Sequence, residues 1–308
     1  MMTPTTPYDI TAIPGLDSYR CIAQALDPIH IGTGGERLSR VDLAIVRDPA
    51  TKLPKLPGTS LSGACRSHAA LRYQRLSCAG QGESGSTHCG NCEICKTFGY
   101  AKGSANARGS TSDSASGSKG LAIFSDAQIV AFPVATSIGP LWIASPQSLG
   151  TTLDIPPNEV HVVLKSGRKK APNSRIAVGW LALHYQEATL PPHSPQLLET
   201  LDVGIVSDGI FSRIVNDNLE VRTSVSINPL TGAAATGALF TYEAIPMGTI
   251  FAFDVQITPA RDESTVGDPP AKVVENGLAL IEYIGVGGMT TRGMGRMRVT
   301  MTKKGAAS

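Results

Sequence analysis

Three glycine-rich segments, at positions 32–35, 58–63 and 285–295, set the tightest limits on how this 308-residue chain can fold. Glycine accepts left-handed backbone angles and lets main-chain N–H groups approach an anion, so such loops suit a sugar-phosphate ligand. The first, His30-Ile-Gly32-Thr-Gly34-Gly35, carries one histidine and precedes Val41-Asp42. The second, Leu56-Pro-Gly-Thr-Ser60-Leu-Ser-Gly-Ala-Cys-Arg66, opens a helix expected over Leu61 to Leu76, with Thr59 or Ser60 as N-cap. A helix start of that kind attracts phosphate. The third, Ile284 to Arg296, combines five glycines, Gly287 and Gly288 among them, with two threonines and two arginines, Arg292 and Arg296. It offers amides, hydroxyls and guanidinium groups to a phosphate backbone.

Composition agrees with a turn-rich chain: 32 glycines and 21 prolines accompany only 17% charged residues, while 42% hydrophobic content is enough for a core. A net charge of +2 excludes a global polycation, so any electrostatic argument for nucleic acid must be local. Locally the charge is uneven. No acid lies between Glu159 and Glu187, where Lys165, Arg168, Lys169, Lys170 and Arg175 fall, and none follows Glu282. No N-terminal signal segment is legible, so a cytoplasmic location is expected. The uncharged run from Ala127 to Leu153 is interrupted by Pro133, Gly139, Pro140 and Pro146, which suits buried strands rather than a membrane span.

Strands are expected at Tyr19–Ala25, Leu43–Val46, Leu121–Ser125, Gln128–Pro133, Leu141–Ala144, Val221–Asn228, Ala238–Glu243, Ile250–Ile257 and Arg296–Met301. Pro195–Phe211 reads as helical, a second helix starts near Ser207-Asp208-Gly209, and Lys272–Ile284 reads as the last helix. Two βα-type units on an antiparallel sheet make an α+β, ferredoxin-like pattern, and the length allows one large domain with insertions or two small fused ones. Val160–Lys165 and Ile176–Tyr185 flank the basic loop as a candidate protruding hairpin.

A polar insertion, 77–120, interrupts this plan. Two Ser/Gly-rich pieces there flank Cys89-Gly-Asn-Cys92-Glu-Ile-Cys95, with Cys78 eleven residues before Cys89. Clustered thiols with little core around them suit tetrahedral structural zinc, with Cys78, Cys89, Cys92 and Cys95 as ligands and His88 as a substitute. Four soft ligands leave no open position for catalysis. Cys21 and Cys65 read as core residues.

No Ser-His-Asp order, Walker loop or metalloprotease helix is present. Asp42, with His30 nearby in sequence, remains as chemistry: an aspartate can act as a base or hold a divalent metal beside a phosphate, and histidine moves protons near neutrality. From spacing alone, an isolated aspartate after a loop is more often a turn residue.

The segments DPIHIGTGGERLSRVDLAIVRDPATKLPKLPGTSLSGACRSHAAL, CGNCEICKTFGYA, FSDAQIVAFPV, GALFTYEAIPMGTIF and IGVGGMTTRGMGRMRV together resemble the RAMP superfamily, most closely the repeated backbone subunits of type III-B (Cmr) CRISPR effector complexes. Related type III-A (Csm) subunits share several of these motifs. The resemblance implies a single domain, 1–308, with an RRM-like, ferredoxin-type core, whose copies stack in a filament on a guide RNA beside other type III effector subunits. It also implies a thumb, expected within 155–190 from its basic hairpin, that displaces base pairs. Complementary target RNA is then cut at regular intervals. Asp42 matches the family's cutting residue, with Mg²⁺ or Mn²⁺ held transiently, and His30 matches a loop histidine that positions the phosphate. Gly32, Gly34, Gly35, Ser60, Arg66, Gly287, Gly288, Arg292 and Arg296 match or adjoin guide-binding positions, and Lys169 and Lys170 join them through the basic loop. The chain departs from the pattern at Ser62, where relatives often carry lysine, and at Ala244, where an aromatic commonly follows two acids.

Overall fold

The computed structural model describes residues 14–34, 41–80, 88–100, 117–164, 175–259 and 267–305. Strand β1 (Asp17–Ala25) turns Cys21, Ala23 and Ala25 inward, the period-two pattern of a strand with one covered face. β2 (Lys55–Leu56) leads into helix α1 (Gly58–Arg72), whose buried Leu61, Cys65 and His68 recur at helical spacing. The short elements α2 (Glu93–Phe98), β3 (Gly99–Tyr100) and β4 (Ser118–Lys119) frame the cysteine insertion. Then come β5 (Ala122–Phe124), β6 (Ala127–Val134), β7 (Leu141–Ala144), β8 (Glu159–Val163), β9 (Arg175–Val178), β10 (Leu181–Glu187) and β11 (Val203–Ile205). Helix α3 (Asp208–Asp217), hairpin strands β12 (Glu220–Ile227) and β13 (Ala234–Ala244), β14 (Ile250–Ile257), helices α4 (Pro270–Ala279) and α5 (Ile281–Ile284), and β15 (Met297–Lys303) complete the order.

Eleven strands form one mixed, mostly antiparallel sheet in the order β15-β1-β14-β6-β7-β11-β8-β10-β9, with β2 beside β6 and β5 beside β14. Only β7–β11 and β8–β10 run parallel. α1 lies in the connection from β1 to β6, and α4 in the connection from β14 to β15. The two helices touch so closely that a Cβ at Gly277 would stand 2.4 Å from the Cys65 carbonyl oxygen. Leu56, Leu61, Phe132, Phe251 and Phe253 form the buried centre beneath them.

The structure corrects several expectations. Pro195–Phe211 is not one helix: a 3₁₀ turn at Gln196–Thr200 gives way to β11, whose Val203 and Ile205 are fully buried between β7 and β8. Leu43–Val46 makes isolated bridges rather than a strand. Of the segments placed in the expected thumb, β8 pairs in parallel with β10 and antiparallel with β11, and β9 pairs with β10, so all three lie in the main sheet, while their connection, 165–174, lies outside the described residues. Among the described residues, two strand pairs stand outside that sheet, β12–β13 and the short β3–β4. Thr59 and Ser60 do not cap α1, because Pro57 occupies the N-cap and Asp126 Oδ1 accepts the Gly58 N–H at 2.8 Å.

Two glycine substitutions separate packing from propensity. Gly277→Ala is expected to lower stability by about 1–3 kcal/mol through overpacking against Cys65. Gly63→Ala, within α1 and with nothing within 4 Å of its would-be Cβ, is expected to raise it by about 0.5–1 kcal/mol. Urea unfolding of the two variants checks both signs.

Candidate nucleic-acid interface

The first and third glycine segments, far apart in sequence, meet along residues 28–33. On one side of that segment, Ile29 exchanges backbone hydrogen bonds with Ile245 at 2.8 and 2.9 Å, Val46 N–H donates to Ile31 O at 2.9 Å, and Thr33 N–H donates to Ala44 O at 3.2 Å. On the other side, Gly288 N–H donates to His30 O at 2.9 Å and Gly295 N–H to Pro28 O at 3.0 Å. Gly287 has φ +85°, and a Cβ there would lie 2.5 Å from His30 O, so only glycine permits the approach. Arg296 closes the seam with two bonds to Asp27, Nε to Oδ2 at 2.6 Å and Nη2 to Oδ1 at 2.9 Å. The Arg296 guanidinium therefore already holds a carboxylate.

His30 lies buried in this seam. Its Nδ1 is 2.6 Å from the Glu243 carbonyl oxygen, which can only accept, so the proton sits on Nδ1. Nε2 faces Gly32, 3.3 Å from where a Cβ would stand. Asp42 is exposed, and Oδ2 accepts both the Thr241 N–H at 2.7 Å and the Thr241 hydroxyl at 3.0 Å. These bonds, led by the Thr241 N–H, hold the Asp42 carboxyl below the ordinary aspartate range. Asp42 is thus an ionised anchor with its second oxygen, Oδ1, unpartnered among the described residues.

Strand β13 supplies both supports: Thr241 fixes Asp42, the Glu243 carbonyl fixes His30, and Tyr242 packs edge-on against the imidazole at 5.9 Å. The Glu243 carboxylate is not free for chemistry, because Arg47 Nη2 bonds it at 2.8 Å and the Ile45 N–H donates to it at 3.4 Å. Arg47 Nε in turn donates to Asn216 on α3 at 3.1 Å. Sequence reading missed Thr241, Arg47 and Asp27 as site residues, although all three lie inside quoted segments.

The remaining site residues divide. Arg292 is exposed, with no side-chain partner among the described residues, and Gly32 and Gly34 present exposed backbone. Ser60 lies in the first turn of α1, where its own N–H donates to Pro57 O at 2.9 Å. Arg66 turns to the insertion, Nε donating to Cys78 O at 2.9 Å and Nη2 lying 3.2 Å from His88 Nδ1. Gly35, Lys169 and Lys170 lie outside the described residues.

The four cysteines of the insertion come together. Their sulfur atoms lie within 4.8 Å of one another, and the Cys78 and Cys89 sulfurs are 3.7 Å apart. Tetrahedral ligands at about 2.3 Å from a metal are themselves about 3.8 Å apart, so the cluster has the dimensions to hold one ion. Burial opposes ionisation of Cys89, but the N–H groups of Asn91 and Cys92 outweigh it and bring that thiol down to about 6. His88 stays outside the cluster, its ring near Tyr100 and Arg66.

The description "RAMP superfamily" matches residues 22–298, and the chain belongs to that superfamily. It is 39% identical over 85 residues to the CRISPR system Cms endoribonuclease Csm3 of Methanothermobacter thermautotrophicus, covering 27% of this chain and 33% of that protein. It is 29% identical over 101 residues to the CRISPR system Cmr endoribonuclease Cmr4 of Pyrococcus furiosus, covering 32% of each. The matches thus span about a third of the length of these curated relatives. A chain in the cryo-EM structure of the type III-B Cmr-beta complex bound to cognate target RNA shares the fold, with a TM-score of 0.64 and 16% identity over 93% of this chain and 96% of that one. No helix among the described residues is long and apolar enough to cross a membrane.

The Asp27–Arg296 pair makes a testable contribution. The Arg296 hydrogen bond, against some burial, holds the Asp27 carboxyl below its unfolded value of about 3.9. A depressed folded-state value stabilises the fold above that pH, and the stabilisation disappears as pH falls through the folded value. Asp27→Asn is therefore expected to lose less stability than the parent chain between pH 5 and pH 3, read as the shift in urea midpoint.

Proposed function

We propose that this chain is a guide-RNA-binding backbone subunit of a type III CRISPR effector complex, cutting complementary target RNA at regular intervals with Asp42 carrying the cleavage. Superfamily membership, the two relatives named as endoribonucleases and the fold shared with a Cmr-beta chain support the reading. The observation that carries it is the exposed, ionised Asp42, fixed by Thr241 and backed by the two joined glycine loops. A base-like carboxylate beside a backbone-lined surface suits phosphodiester chemistry better than sequence-specific base reading.

Within this reading, exposed Arg292 and the amides of the glycine segments contact guide phosphates, while Arg296 keeps the third segment in place. The order β15-β1-β14-β6, with α1 and α4 in the crossovers, supports the RRM-like, ferredoxin-type core. Beside 155–190, the hairpin β12–β13 is a second candidate for the thumb, since it leaves the main sheet and exposes Val221, Ile227 and Leu230. Copies of this chain and other type III subunits are its partners in the filament. Asp42 Oδ1 offers one ligand to Mg²⁺ or Mn²⁺, which commonly binds through one or two carboxylates plus substrate phosphates. Such an ion would offset charge on the scissile phosphate. The cysteine cluster holds structural zinc, which stabilises the insertion by binding only its folded form.

Both bonds from Thr241 to one Asp42 oxygen favour a second reading, in which Asp42 only orders its loop in a non-catalytic structural subunit. Asp42→Asn and Asp42→Ala in the assembled, guide-loaded complex separate the two. Both are expected to bind complementary RNA at parental affinity and to cut it at least a hundredfold more slowly. Undiminished cutting by either variant leaves only the structural role.

Metal content is a separate test. Purified protein is expected to contain one zinc per chain by elemental analysis. Cys89→Ser and Cys92→Ser are expected to lose it and to melt at lower temperature.

A further inference from the structure

We propose that Trp180, backed by Arg213, is a stacking platform for an unpaired RNA base at a site apart from the Asp42 loop. The inference rests on the RNA-binding reading above and adds to it a residue outside every quoted segment. Trp180 occupies the turn between β9 and β10, at the end of the sheet away from β15, and is 62% exposed. An indole carries a large apolar surface that folding normally covers.

This indole is exposed yet held. Its Nε1–H donates to Asp217 Oδ2 at 3.0 Å, and the Arg213 guanidinium lies 5.6 Å from the ring centroid. Residues 213 and 217 stand one helical turn apart on α3, so the helix grips the ring at two points. Gly179 adds a third constraint, its would-be Cβ 3.2 Å from the Asn218 side chain. A side chain already fixed loses little conformational freedom on binding, so a ligand stacking on it meets a smaller entropic cost. With a guanidinium on one face, the other suits a flat π-system, and every nucleobase has one.

The neighbouring surface fits a nucleotide better than a hydrophobic protein partner. On the outward side of β9–β10, Ala177 lies opposite Ala182 and Arg175 opposite His184, and all four are exposed. Two alanines make a flat, shallow floor with no pocket for an apolar side chain. At about 3.3 Å per residue, Arg175 and His184 lie about 10 Å along the strands from the Trp180 turn, where they can meet the phosphates flanking a stacked base. The acid beside the ring, Asp217, is engaged by the indole N–H. Helix α3 also reaches the Asp42 side of the molecule through Asn216, Arg47 and Glu243, so both sites can serve one strand of RNA.

The chain has two tryptophans, and Trp142, which donates Nε1–H to Gly248 O at 2.8 Å, is removed by Trp142→Phe to isolate the signal of Trp180. The full-length variant is titrated with single-stranded RNA and with inorganic polyphosphate, a polyanion without bases. RNA is expected to quench the Trp180 emission strongly, and polyphosphate to bind without quenching. In the otherwise native chain, Trp180→Ala is expected to weaken RNA binding about tenfold without changing its salt dependence, while Trp180→Phe, which keeps a stacking ring, stays within about threefold. RNA binding with unchanged Trp180 emission, equal quenching by polyphosphate, or parental affinity in a folded Trp180→Ala overturns the platform and leaves the RNA-binding reading standing. Absence of saturable RNA binding by the parental chain overturns both.

Discussion

The backbone hydrogen bonds on both sides of residues 28–33 organise the candidate interface. A chain segment bonded on one side only is an edge, with unsatisfied donors and acceptors exposed. Here Ile245, Ala44 and Val46 cover one side and Gly288 and Gly295 the other, which joins the start of the chain to its end. Glycine makes this possible sterically, since a side chain at 287 would collide with His30 O. The loops first readable as phosphate cradles are therefore also packing surfaces for each other, and part of their backbone capacity is engaged within the protein.

The same double duty separates the basic residues. Arg296 and Arg298 both lie in the acid-free tail, yet Asp27 holds the first and Glu282 the second. Exposed pairs of this kind add little stability, but they fix geometry and reduce the local positive field. Arg292, in the same tail, is left exposed. A count of cations along the sequence cannot distinguish these three arginines, because the acids that hold Arg296 and Arg298 come from elsewhere in the chain.

What the sequence made legible follows the range of the forces involved. β1, β6, β14 and β15 were readable because alternation or sustained apolar character marks a strand within a few residues. The cysteine cluster was readable because three of its four cysteines fall within seven residues and metal-type spacing is local. Pro195–Phe211 misled because its short strand, β11, is buried on both sides, and a brief apolar run looks alike in helix and strand. Basic flanking loops suggested a free hairpin, whereas β8 lies between β10 and β11 in the main sheet. Asp126 as the anchor of α1 was not readable, since its carboxylate comes from 68 residues away.

Asp42 shows why a site of this kind resists reading from spacing. It lies in a segment without regular structure, where Leu43 and Ile45 make only isolated bridges, so no periodic pattern marks it. Its position comes from Thr241, 199 residues later, and Thr241 is held by the strand that also supplies the Glu243 carbonyl to His30. The two candidate groups are thus fixed by one element rather than by each other. Hydrogen bonds to the carboxylate favour its charged form, so across neutral pH Asp42 offers a fixed negative charge and a lone-pair donor rather than a proton. His30, with Nδ1–H committed to the Glu243 carbonyl, presents Nε2 as a lone-pair acceptor toward Gly32.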